Sequence, residues 1–206
     1  GEPLTAFDVY SPLMSLPLAF GTQIDTIPAQ APYLTVPDER IPKWQALLPR
    51  GPRPRVGLVW SGASANLNNH NRSIALERLR PLLEVPGIAF ASLQREFRAH
   101  ELPLLSRLPL ARIDDAIADF GDTAAAVAQC DLVISVDTSV AHLAGALGKP
   151  LWVLLSHDPD WRWMLNRTDS PWYPSARLFR QSKFGNWEEV ITRVAKELAS
   201  FRALPA

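Results

Sequence analysis

The sequence predicts an α/β fold built on a doubly wound parallel sheet, and three observations carry that prediction. From Arg55 onward, six apolar runs alternate with helical or turn-rich stretches. The runs are short and rich in branched aliphatic residues, as strands buried on both faces are. The stretch from Leu132 to Leu155 shows a whole crossover unit: strand, tight polar turn, small-residue helix, strand.

That unit organises the rest. Leu132, Val133, Ile134 and Val136 form a strand that stops at Asp137-Thr138-Ser139, residues suited to helix N-caps. Val140, Leu143, Ala144 and Leu147 recur at helical spacing, and Gly148 and Pro150 end the helix. Ala141, Ala144, Gly145 and Ala146 let it lie close against the sheet. A helix start directs unpaired N–H groups and the positive end of its dipole outward, so Thr138 and Ser139 stand where a phosphate binds. Simple capping is the commoner use of such hydroxyls.

The other elements follow in order. Residues 1–54 hold ten of the nineteen prolines, which leaves no room for long regular elements. Phe7, Val9, Leu13, Leu16, Leu18, Phe20 and Ile24 are nevertheless too apolar for a solvated linker, so the segment is expected to pack against the following domain or a preceding one. A short helix is predicted over Ile41–Leu48, then a boundary at Pro49–Pro54, giving a Pro-rich N-terminal extension (1–54) and a domain over 55–206. Val56–Trp60 reads as the first strand and Ser61–Ser73 as a polar loop. Ile74–Val85 reads as an amphipathic helix capped by Ser73, with Leu76, Leu79, Leu82 and Leu83 on one side. Strand Ile88–Leu93, a helical stretch to about Ser106, and a weaker strand Leu110–Ile113 come next. Asp119–Asp122 then turns the chain into a helix over Thr123–Cys130. After strand Leu151–Leu155 come an aromatic loop, an edge strand Arg177–Arg180 and a final helix Trp187–Phe201. With the usual strand order 3-2-1-4-5-6, the first and fourth strands are neighbours and ligands bind outside their carboxyl ends. The 61–73 loop and the 137–139 turn then face one pocket.

Several residues there suit an anionic ligand. Ser61 and Gly62 begin a loop able to wrap a diphosphate, and Arg72 at its end offers a bidentate contact; a solvated surface loop is the alternative. Gln94 ends the second strand, where a ribose or base is often held, though a plain surface turn fits as well. Asp137 either accepts from a ribose hydroxyl or orders the turn. His142, one helical turn on, would pair with phosphate when protonated, although a partly buried, hydrogen-bonded histidine is commoner. Four of the seven tryptophans fall between 152 and 172. Such clustering usually means core or interface, but at a sheet's ligand edge it also suits a sugar pocket.

Composition excludes other classes. A formal net charge of zero gives no general affinity for nucleic acid or anionic membranes. One cysteine, Cys130, permits no intrachain disulfide and favours a cytoplasmic setting, and no apolar run approaches the ~20 residues of a membrane span. Four scattered histidines without His-Glu-x-x-His argue against a metal centre. The absence of Gly-x-Ser-x-Gly argues against a serine hydrolase, and Gly-x-Gly-x-x-Gly and P-loop signatures are absent as well.

The stretch Val133–Pro150, with Asp137-Thr138-Ser139, His142-Leu143 and a run of small residues before Pro150, resembles the donor-domain signature of glycosyltransferase family 9, the heptosyltransferases. Arg55–Gly62, Ser92-Leu93-Gln94, Asp160–Trp163, Ser170–Pro174 and Arg177–Gln181 resemble the glycosyltransferase-like C-terminal regions of bacterial tetratricopeptide-repeat proteins more closely still. The resemblance covers nearly the whole chain. It implies the C-terminal, Rossmann-like half of a GT-B fold, binding a nucleoside diphosphate sugar without a cofactor or metal. The diphosphate would lie on backbone amides at Thr138-Ser139, with His142 and Arg72 close by. Ser139 replaces the glycine usual in heptosyltransferases. The resemblance also implies partners absent from this chain: an N-terminal domain carrying the catalytic base, of which 1–54 is the tail, and tetratricopeptide repeats. A degenerate, non-catalytic module serving as scaffold or ligand sensor is the alternative.

Overall fold

The computed structural model describes residues 5–48, 54–65 and 68–202. All six expected strands form: β1 (Arg55–Val59), β2 (Ala89–Ser92), β3 (Leu110–Arg112), β4 (Leu132–Val136), β5 (Leu151–Leu155) and β6 (Ala176–Arg180). They make one sheet of order β3-β2-β1-β4-β5-β6, every neighbouring pair parallel. Helices α1 (Leu16–Ala19) and α2 (Ile41–Leu47) precede the sheet. The connections carry α3 (Asn69–Arg72) and α4 (Arg80–Leu83), then α5 (Leu102–Leu105), α6 (Phe120–Ala128) and α7 (Ser139–Ala146), and α8 (Trp187–Ser200) follows β6. The N-terminal part of the expected boundary, residues 49–53, lies outside the described residues, as do Asn66 and Leu67 of the first loop.

Side chains alternate across a strand, so β4 feeds two cores. Leu132, Ile134 and Val136 join Trp60, Leu82 and Val190 on the face covered by α4 and α8. Val133 joins Trp44, Ala125 and Ala141 on the face covered by α2, α6 and α7. A strand buried on both sides has no exposed face to make polar, so its run reads as nearly continuous, broken only by Ser135, whose hydroxyl is satisfied internally.

Two helix expectations need correction. The predicted helix over Ile74–Val85 is broken into an extended step at Ala75, a 3-10 turn over Leu76–Leu79 and the single α-turn of α4. Leu76, Leu79, Leu82 and Leu83 are buried as expected. The cause is local: Ile74 gives its N–H to Trp60 O at 2.8 Å, and Pro81 has no N–H with which to continue a helical ladder. Ser73 therefore caps nothing; its hydroxyl donates to Asn69 Oδ1 at 2.8 Å. The expected helical stretch to Ser106 likewise shrinks to α5, with Pro103 in its first turn. By contrast α6 starts three residues earlier than predicted, because Asp119 caps it by accepting from Asp122 N–H at 2.9 Å.

Asp122 joins the N-terminal segment to the sheet. It is buried and accepts from Ala118 N–H at 3.0 Å, Trp44 Nε1 at 3.0 Å and Lys43 Nζ at 3.1 Å, with Arg40 Nη1 at 3.1 Å. Arg40 also forks onto Asp119 at 2.8 and 3.0 Å. Further back, Tyr33 N–H donates to Ala146 O at the end of α7, at 3.0 Å. Part of the segment thus packs on this domain. Its beginning does not: Phe7, Val9, Leu13, Leu18 and Phe20 are exposed.

Burial works against the Asp122 charge, but its hydrogen bonds outweigh burial and hold the carboxyl well below the usual carboxylate range. Its contribution to stability is present above the unfolded-state value of about 3.9 and is lost as pH falls below it. Asp122→Ala leaves four donors facing an apolar methyl, so urea unfolding at pH 7 should show a loss of about 3 kcal/mol. The same variant should have a shallower acid limb in its stability–pH profile.

Candidate functional site

The order in which successive strands are added reverses between β1 and β4, which pair in parallel from Val56↔Leu132 to Val59↔Ser135. Their carboxyl ends therefore deliver Ser61-Gly62 and Asp137-Thr138-Ser139 side by side. A cleft of about 190 Å³ opens there, lined by Ser61, Gly62, Gln94, Glu96, Thr138 and Ser139 among others. Five of the eight predicted site residues meet on this one surface.

The turn is held from within. Ser135 Oγ donates to Val136 O at 2.7 Å and lies 3.0 Å from Thr138 Oγ1. Thr138 is in extended backbone at the N-cap of α7, yet its hydroxyl makes no cap hydrogen bond. The capping alternative is thus not realised, and the turn offers a ligand its backbone together with the exposed Ser139 rather than the Thr138 hydroxyl. Arg72 crosses from the first loop as expected. Its Nη1, however, donates to Asp137 O at 2.7 Å, while Nε is buried with no hydrogen-bond partner among the described residues. Gly62 makes room for this guanidinium, which a Cβ would overlap.

Gln94 is neither a surface turn residue nor a free ligand contact. It is buried, and its Oε1 accepts from Trp60 N–H at 3.2 Å and Ser61 N–H at 3.1 Å. Its Nε2 donates to Ser61 O at 3.0 Å and Glu96 O at 3.1 Å. A carboxamide with two donors and two acceptor sites so engaged has nothing left for a ligand. Gln94 instead clasps the ends of β1 and β2. Asn69 completes the loop, accepting from Gly62 N–H at 3.0 Å, and the Glu96 carboxylate accepts from Ser64 N–H and Oγ, both at 3.3 Å.

His142 lies on the other flank of the turn. Its Nδ1 is 2.9 Å from Tyr173 Oη, its ring stacks on Trp163 at 5.1 Å, and Nε2 is 3.8 Å from Asp137 Oδ1. Burial lowers its pKa below 6.5, and the attraction of Asp137 does not restore it. The commoner of the two readings, a partly buried and hydrogen-bonded histidine, is the one the structure shows, and its burial favours the neutral ring. Burial and the neighbouring Tyr33 hydroxyl push the Tyr173 phenol above its ordinary value, so it keeps its proton. A neutral ring accepting that proton at Nδ1 carries its own on Nε2, on the side of Asp137. Tyr33 and Tyr173 are not among the site residues expected from sequence, although Tyr173 lies in the aromatic Ser170–Pro174 segment noted there. Tyr173 packs this closely because Gly145 has no side chain, since a Cβ there would overlap the ring.

Fold and crevice together define a Rossmann-like α/β domain with an open crevice at the switch point of its sheet. The comparisons with known proteins agree on the fold. Residues 117–190, from the approach to α6 into α8, match the model of glycosyltransferase family 9 (heptosyltransferase). Over 187 residues the chain is 33% identical to Protein FlbA of Caulobacter vibrioides, covering 87% of this chain and 31% of FlbA. Two solved structures share the fold. The glycosyl transferase family 9 protein from Veillonella parvula aligns with TM-score 0.50 at 14% identity, over 81% of this chain and 53% of that one. E. coli ADP-heptose lps heptosyltransferase II aligns with TM-score 0.52 at 15% identity, over 85% and 57%. The chain thus spans about a third of FlbA and little more than half of each solved chain. The domain is heptosyltransferase-like in fold, and its 117–190 stretch is so in sequence. Among the described residues no helix is long and apolar enough to cross a membrane, and no cluster of metal-ligating side chains occurs.

Two outcomes check this geometry. The His142 imidazole should titrate by NMR with a midpoint below 6.5. Its contribution to stability is then complete above the unfolded-state value and is lost as pH falls below it. Gly145→Ala should cost about 1–3 kcal/mol in thermal or urea unfolding, because an overpacked contact against a rigid ring cannot relax cheaply.

Proposed function

We propose that this chain is the donor-binding domain of a glycosyltransferase, holding a nucleoside diphosphate sugar at the β1–β4 crevice. The observation that supports it best is the start of α7: a helix N-terminus without a side-chain cap, opening on a cleft completed by the Ser61-Gly62 loop. Such a start attracts a diphosphate through its amides and dipole. In this reading Ser61, Gly62, Thr138 and Ser139 line the diphosphate, and Glu96 is placed to accept from a ribose hydroxyl. Gln94, Arg72 and Asp137 act as positioning residues.

Chemistry in this half is stabilisation of the leaving group. As the glycosyl bond breaks, negative charge grows on the departing diphosphate, and fixed amides offset it without reorganising. Neutral His142 contributes an N–H at most, so the charge falls to the helix start and to any rearrangement that frees Arg72. No metal is required in this scheme. The catalytic base and the acceptor site belong to the rest of a longer polypeptide: a preceding GT-B domain and, by the resemblance, tetratricopeptide repeats. The exposed apolar residues between Phe7 and Phe20 favour such a covering partner. A non-catalytic scaffold or sensor is the second reading, favoured by the commitment of Arg72 to Asp137 O.

A thermal-shift panel with UDP, ADP, GDP and their common sugars tests the donor reading. Ligand at 100 times its Kd should add about 2.7 kcal/mol. Ser139→Asp, which puts a carboxylate at the helix start, should hold or raise the melting temperature of the free protein while abolishing the nucleotide shift. Arg72→Ala should weaken nucleotide binding by loosening the turn. A nucleotide shift that survives Ser139→Asp would exclude this turn as the diphosphate site, and no shift with any nucleotide would favour the scaffold.

A further inference from the structure

The cleft at the turn, at about 190 Å³, is smaller than the ~300–1,000 Å³ of sites that enclose a whole organic ligand. A second cavity, of about 400 Å³, opens on the opposite flank of the first turn of α7. Its walls are Tyr33, His142, Trp161, Arg162, Trp172 and Tyr173. We propose that this aromatic cavity is a subsite for an uncharged pyranose ring. The proposal builds on the donor reading, but the cavity itself is separate from the diphosphate cleft.

The walls are rigid and left uncovered. Trp161 and Trp172 meet edge to face with centroids 6.1 Å apart, and Trp161 remains 57% exposed. Trp172 Nε1 donates to Arg162 O at 2.7 Å, and Tyr173 is tied to His142. The loop beneath is held in a costly conformation: Met164 has φ 49° and Asn166 φ 56°, neither being glycine. Arg180, itself partly buried, holds that loop by donating to Trp163 O at 3.1 Å and Met164 O at 2.6 Å. The same turn buries Trp163 in the core yet leaves the Trp161 indole exposed at the cavity wall, where it adds nothing to core packing.

The chemistry of the lining selects the ligand. The axial C–H groups of a pyranose carry slight positive charge and suit the negative faces of indole and phenol rings. Its hydroxyls need a few donors and acceptors at the rim, which Arg162 and the two tyrosines supply. An anion is disfavoured, because Arg162 is already paired with Asp160 at 2.8 Å and His142 is neutral. The ring comes either from the donor's own sugar or from a glycan acceptor, and both sources present the same surface.

Tryptophan fluorescence and calorimetry on the full chain separate the sources. The probes are UDP, ADP and GDP, their hexose and N-acetylhexosamine conjugates, and methyl glycosides of the same sugars. Trp161→Ala removes an exposed side chain, so folding should be retained. If the donor's sugar is bound, one conjugate should bind at least about tenfold more tightly than its nucleotide, or about 1.4 kcal/mol. Trp161→Ala should then erase that difference and leave nucleotide affinity unchanged. If an acceptor sugar is bound, a methyl glycoside should quench fluorescence, and Trp161→Ala should abolish the quenching. Glycoside binding without nucleotide binding would sink the donor reading and keep this subsite. Sugar binding that is absent, or insensitive to Trp161→Ala, would overturn the subsite even where nucleotide binds.

Discussion

The parallel pairing of β1 with β4 is the constraint on which the rest depends. These strands are separated in sequence by two other strands and three crossover connections, yet they run side by side from Val56↔Leu132 to Val59↔Ser135. Connections leave them toward opposite halves of the sheet, so no chain covers the gap between their carboxyl ends. The Ser61-Gly62 loop and the Asp137–Ser139 turn become walls of one crevice for that reason alone. Arg72 can then reach the Asp137 carbonyl, while Gln94 clasps the ends of β1 and β2 beside it.

On the covered faces the sheet is tied down by a few polar contacts of high consequence. Asp122 sits beneath α2 and collects donors from Lys43, Trp44 and Ala118. A carboxylate buried there alone would not stay ionised; with these donors it fixes where the N-terminal segment lies. Tyr33, in the same segment, is thereby carried to the end of α7 and the wall of the aromatic cavity. The proline-rich segment is thus both a strap across α6 and α7 and a contributor to the wall of the aromatic cavity.

Local patterns made much of this legible. Apolar runs, Gly148-Pro150 punctuation and the Asp-Thr-Ser turn are neighbour-to-neighbour signals, and they located all six strands, α7 and α8. Where the pattern failed, backbone chemistry overrode periodicity. The leucines from Leu76 to Leu83 face the core as their spacing requires, but Pro81 and the Ile74–Trp60 hydrogen bond divide the helix they suggested. Hydrophobic spacing reports which side is buried; it does not report whether each amide has a partner.

The sequence by itself determined the fold class and the place of the phosphate-suited turn, because both follow from local periodicity and turn chemistry; the strand order taken as usual for such folds is the one the structure adopts. Only tertiary structure decided what the polar groups do. Gln94 bonds to residues 33 and 34 positions away, His142 to one 31 away and Trp44 to one 78 away. Such partners are chosen by packing, and a side chain's charge and free hydrogen-bonding capacity depend on them. That is why Gln94 became a clasp, His142 a neutral ring and Arg72 a brace for the turn.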